Sequence, residues 1–109
     1  MEYNKIEKEA IASVLHNLAH ADFREHELEN AVYKDCLKKL DLDDGFVPYP
    51  KEELQSRTFE ILKRLPKEKK RDVSLMMTKI ARSDGEFGIL ERKFVTEILD
   101  MCDIPFVSR

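Results

Sequence analysis

The chain has 109 residues, 42% of them apolar, enough for one core that buries roughly two thirds of the unfolded surface and too few for a second domain. Charged residues make up 38% but nearly cancel to a net charge of -3, so the basic excess of a typical nucleic-acid binder is missing and no nucleic-acid partner is expected. No apolar run approaches about 18 residues, so no membrane insertion is expected, and the charged opening "MEYNKIEKEA" does not read as a secretion signal; the expected location is the cytoplasm.

Apolar residues recur at helical spacing almost everywhere, which predicts an all-α fold of about five to six helices. "NKIE", Asn4 to Glu7, fits a capping box, and the first helix should run from about Asn4 to Ala21 with Ile11, Val14, Leu15 and Leu18 inward. A second helix should start near His26 and bury Leu28, Val32, Cys36 and Leu40 before the turn-rich "DLDDGFVPYP". Pro50 suits the first turn of a third helix, with Leu54, Ile61, Leu62 and Leu65 as its stripe. After Pro66 a fourth helix from about Lys67 should bury Val73, Met76, Met77 and Ile80, and a fifth should use Leu90, Phe94, Ile98, Leu99 and Cys102. Met76, Met77 and Met101 read as packing residues, and Cys36 and Cys102 as reduced core thiols.

The first helix pair can be laid on the last at a constant offset, since 84 minus 22 is 62 and 91 minus 29 is 62. "LAHADFREHELE" falls on "IARSDGEFGILE", matching Ala19 to Ala81, Asp22 to Asp84, Leu28 to Leu90 and Glu29 to Glu91. Leu37 also meets Leu99, and Leu42 meets Ile104. A periodic core does not require carboxylates seven residues apart on either side of a turn. The expected architecture is therefore two helical hairpins related by a pseudo-two-fold: repeat 1 at about 4–43, a bridging loop and helix at 44–66, and repeat 2 at about 67–105.

Asp84 should sit at a helix exit beside Gly85, whose missing Cβ permits a tight turn, and Glu91 in the first turn of the last helix. Two uses of these carboxylates stand side by side. They could accept hydrogen bonds from turn amides and pin the angle between helices, or they could supply hard oxygen ligands to Ca2+ or Mg2+. An EF-hand is excluded: with Asp84, Gly85 and Glu91 at loop positions 5, 6 and 12, Ile80 and Arg82 occupy positions 1 and 3, where oxygen ligands are needed. A cation would need Glu86, Glu25 or the other turn's Asp22 and Glu29 as further ligands.

On these residues, "IARSDGEFGILERKFVTEILDMCDIP" resembles the signature of the TerB-like tellurite-resistance family: Ala81, the Asp84-Gly85 pair, Glu91 seven residues after the Asp, and a helix leading into Ile104 and Pro105. Ala19, Asp22 and Glu29 resemble the family's other half, while Phe23 in place of a Gly, and Gly88 where an N-capping Asp is common, depart from it. The resemblance implies an all-helical bundle with internal pseudo-two-fold symmetry, as in the TerB-like domain of a membrane-anchored DnaJ-like cochaperone. It also implies a cytoplasmic bacterial protein of the tellurite or chemical stress response, with a suspected acidic metal site and no established catalytic activity.

His16 and His20 have the spacing of metal ligands one helical turn apart, but they read as an exposed polar face because no third ligand is fixed, His26 being the nearest in sequence. "KRLPKEKKR", Lys63 to Arg71, is a local basic run, read either as a solvated helix face or as a patch for an acidic partner. No Ser/His/Asp set, phosphate loop or paired-acid cleft is evident, so the chain is expected not to be an enzyme. Beside the TerB-like module stand two other readings: an adaptor with structural carboxylates that meets a protein partner through Lys69 to Arg71 or the Tyr49 loop, and a two-metal centre built from the four turn carboxylates.

Overall fold

The computed structural model describes residues 2–20, 27–43, 45–82 and 89–105, with backbone alone at 27–30 and 89–91. The fold is all-α. Its helices are α1 (Lys5–Ala19), α2 (Glu27–Lys39), α3 (51–63), α4 (Lys67–Ala81) and α5 (Ile89–Met101). Within α3, one π-helical turn, Gln55–Phe59, separates two short α-helical pieces. Thr58, fully buried there, donates its hydroxyl to the Leu54 carbonyl at 2.6 Å, satisfying an acceptor in the widened turn.

The capping box predicted at Asn4 is present, the Asn4 side chain accepting from the Glu7 amide at 2.8 Å and Glu7 Oε1 from the Asn4 amide at 2.9 Å. α1 ends at Ala19, two residues short of the expected Ala21. It packs against every other helix, which explains why Ala10, Ala12 and Ser13 are buried as fully as the predicted Ile11, Val14, Leu15 and Leu18. A helix contacted from several sides buries small residues beyond its apolar stripe and keeps only a narrow polar edge, here Lys5, Lys8 and Glu9. α4 packs against α1, α2 and α5, and its Val73, Met76, Met77 and Ile80 join the core as expected. Leu54, Leu62 and Leu65 are buried, with Ile61 and Phe59 packed on the same core.

The helix bounds repeat at the offset found in the sequence. Adding 62 to Lys5–Ala19 gives Lys67–Ala81, and adding 62 to Glu27–Lys39 gives Ile89–Met101. The helix ends repeat as well. Asp41 and Asp103, 62 apart, both take the left-handed conformation, at φ 59° and 54°. The Leu42 amide then reaches the Leu37 carbonyl at 2.9 Å, and the Ile104 amide reaches that of Leu99 at 2.8 Å. Each is a 6→1 closure that satisfies an orphan carbonyl and turns an apolar residue back onto the core.

Two expectations are corrected. Met101 is 45% exposed and not a core residue; the buried stripe of α5 is Val95, Ile98, Leu99 and Cys102, spaced i, i+3, i+4, i+7, and Met101 lies off it. His16 is half-buried and does not lie on an open polar face, its ring edge meeting Tyr33 at 5.4 Å and stacking on exposed His20 at 4.4 Å.

Candidate functional site

The acidic turn residues can be placed only in part. Asp22, Glu25, Asp84 and Glu86 lie outside the described residues. Glu29 and Glu91 are each the third residue of their helix, α2 and α5, where a carboxylate complements the positive helix end. His26 also lies outside the described residues. Among the described residues, no three His, Cys, Asp or Glu side chains are grouped so as to hold a metal ion.

The most developed polar cluster among the described residues is one the sequence did not announce. Tyr3, just ahead of the α1 cap, is only 9% exposed and donates its hydroxyl to Asp72 Oδ2 of α4 at 2.6 Å. Lys69, one turn earlier on α4, reaches Glu7 Oε1 at 3.2 Å and holds its ammonium 5.2 Å from the centre of the Tyr3 ring. Glu7 thus serves both the α1 cap and a cross-helix ion pair, with Glu7 and Lys69 side chains 16% and 23% exposed. Burial, reinforced by the hydrogen bond to Asp72 and by its charge, drives the Tyr3 phenol well above its ordinary pKa, so the hydroxyl stays a donor at any physiological pH. These contacts fasten the start of α1 to α4 across 69 and 62 residues of chain.

Tyr3 also forms a wall of a surface hollow of about 430 Å³, lined by Lys39, Leu40, Asp72, Leu75, Met76 and Lys79. The helices explain this lining. Asp72, Leu75, Met76 and Lys79 follow i, i+3, i+4, i+7 on one face of α4, and Lys39 and Leu40 come where α2 stops at its left-handed Asp41. An adjoining hollow of about 260 Å³ shares Tyr3, Lys39 and Leu40 and adds Glu2, Lys8 and Asp41.

The basic run read from the sequence is less available than it looked. Lys70 donates to the Asp103 carbonyl at 3.0 Å, Lys69 is held by Glu7 and Tyr3, and exposed Arg64 lies 3.7 Å from Glu60, so that Lys63, Lys67 and Arg71 are the exposed cations of the run that form no ion pair among the described residues. The Tyr49 loop is also anchored. The Tyr49 amide donates to Ser13 Oγ at 3.0 Å, and Asn17 Nδ2 donates to the Tyr49 carbonyl at 3.0 Å, so two polar residues of α1 order the approach to α3. Neither residue stood out in the sequence, although Ser13 within an apolar helical stretch was the available signal.

Cys36 and Cys102 are free and buried; burial raises both thiols, that of Cys102 to about 12. Burial also pushes Tyr33 up to about 12, while burial and the neighbouring His20 lower the pKa of His16.

No protein-family model matches this sequence, and neither a curated protein nor a solved structure matches it. Among the described residues, no helix is long and apolar enough to cross a membrane.

Proposed function

We propose that this chain is a TerB-like, non-enzymatic helical module of the bacterial tellurite or chemical stress response, with the acidic residues of its two turns, Asp22 and Glu29, Asp84, Glu86 and Glu91, available to a divalent cation such as Ca2+ or Mg2+. The observation that carries this reading is the repetition of helix bounds and C-caps at an offset of 62, because the resemblance in "IARSDGEFGILE" implies two equivalent hairpins. Glu29 and Glu91 at third helical positions suit either use of these groups, a staple for turn amides or a hard ligand for a cation.

The test is in cells. A bacterial host lacking the gene is complemented with the wild-type chain or with Glu91→Gln and challenged with tellurite. Restored survival by the wild type and weaker restoration by a folded Glu91→Gln is the expected result. Equal survival with and without the wild-type chain overturns the stress role.

A further inference from the structure

The trough over Tyr3 has a charge arrangement that the fold itself does not use. Of the lysines around it, Lys69 is tied to Glu7 and Lys70 to the Asp103 carbonyl. Lys39 and Lys79 line the larger hollow, are exposed, and form no ion pair with any described residue. Asp72 lines the same hollow and accepts from the Tyr3 hydroxyl through Oδ2 at 2.6 Å; neither lysine comes within ion-pair distance of it, so the hollow carries two ammonium groups against one carboxylate. The same hollow is lined by Leu40 and Met76, both buried, and by half-exposed Leu75. Methionine adapts its shape to an incoming side chain at little cost.

The two hollows share Tyr3, Lys39 and Leu40 and so adjoin, and each opens to solvent. A small molecule lying in an open trough would keep much of its surface in water, whereas an extended segment can run along it and engage both ends. We propose that this trough docks an acidic peptide segment of a partner protein, a carboxylate side chain meeting Lys39 and Lys79 and an adjacent aliphatic side chain resting on Leu75 and Met76. Tyr3, locked between Asp72 and Lys69, is the fixed ridge over which the segment crosses. The smaller hollow adds Glu2 and Asp41 against Lys8, one net negative charge that disfavours a second carboxylate there. The docking site uses none of the turn carboxylates and stands whether or not they bind a cation.

The test is a titration of the whole, isotope-labelled chain with a capped six-residue peptide carrying one Leu-Glu pair among neutral polar residues, followed through amide and methyl resonances. The expected result is saturable shifts at Leu40, Leu75 and Met76, with binding weakened about three- to tenfold by Lys39→Ala or Lys79→Ala. The double variant Lys39→Glu/Lys79→Glu should abolish it; both side chains are exposed, and unchanged core resonances establish that the variant folds. Raising salt from about 50 mM to about 300 mM should weaken binding several-fold. Equal binding of the same peptide with Gln for Glu overturns the proposal. So does saturation by acetate over the same concentration range, or perturbation of these residues by phosphatidylglycerol vesicles and not by the peptide.

Discussion

Replacing Tyr3 by Phe removes one oxygen and leaves the ring that Lys69 covers at 5.2 Å, so it isolates the hydrogen bond to Asp72. A hydrogen bond to a charged acceptor contributes about 1.5–3 kcal/mol. Asp72 is half-exposed, and water can replace part of what it loses, which places the expected cost near the low end, about 1–2 kcal/mol. For a chain of this size that is a fall in Tm of about 4–8 °C per kcal/mol. The assay is urea denaturation followed by circular dichroism, with an unchanged slope and a lowered midpoint. Asp72→Asn and the double variant complete a cycle whose coupling should be about 1 kcal/mol, as the two groups touch. A loss below about 0.3 kcal/mol with no coupling would refute the claim that this contact fastens α1 to α4.

Other outcomes follow from the same geometry. Asp41→Gly should stabilise the fold by about 0.5–1 kcal/mol in the same denaturation assay, because Asp41 holds φ at 59° and glycine adopts that conformation without a Cβ clash. His16 has a folded-state pKa lowered by burial and by His20, so the unfolded chain binds more protons: stability is fully present above about pH 6.5 and declines as pH falls through the lower folded value. The decline, measured as midpoint against pH between about 7 and 5, should be smaller in His16→Phe, which keeps an aromatic ring against Tyr33. Cys102, with its thiol pushed up to about 12 by burial, should react with a thiol reagent at pH 8 only at the rate of unfolding, and rapidly in denaturant.

What could be read from the sequence was what repeats along a helix. The stripes of α1, α3 and α4 were legible because apolar residues recur with helical period, and the Asn4 cap because its chemistry spans only three residues. The helix bounds recur at the offset of 62, and the residues it pairs, Leu37 with Leu99 and Leu42 with Ile104, are the corresponding ends of the two 6→1 closures. The left-handed Asp41 and Asp103 between them went unread, because aspartate is far weaker than glycine as a signal for that conformation. Met101 misled because one more apolar residue near a helix end looks like part of the stripe, and only the angle relative to Val95, Ile98 and Cys102 separates them.

The trough over Tyr3 was illegible for a different reason. Tyr3 and Asp72 are 69 residues apart, and no local period links an N-terminal tyrosine to a carboxylate in the middle of α4. Lys39 and Lys79 look like ordinary solvated lysines until the packing of α2 on α4 brings them to one hollow. Likewise, the half-burial of His16 depends on Tyr33 arriving from α2, which a helical wheel of α1 alone does not contain.

The most direct measurement of the proposed role is an amide titration of the isotope-labelled chain with Ca2+ and then Mg2+, comparing wild type with Glu91→Gln. The account predicts saturable shifts at Asp84 to Glu91, with a parallel response at Asp22 to Glu29, and loss of the former in the variant. Absence of saturable shifts in either turn, with Glu91→Gln only lowering stability, would contradict the cation site and leave these carboxylates as staples for their turns.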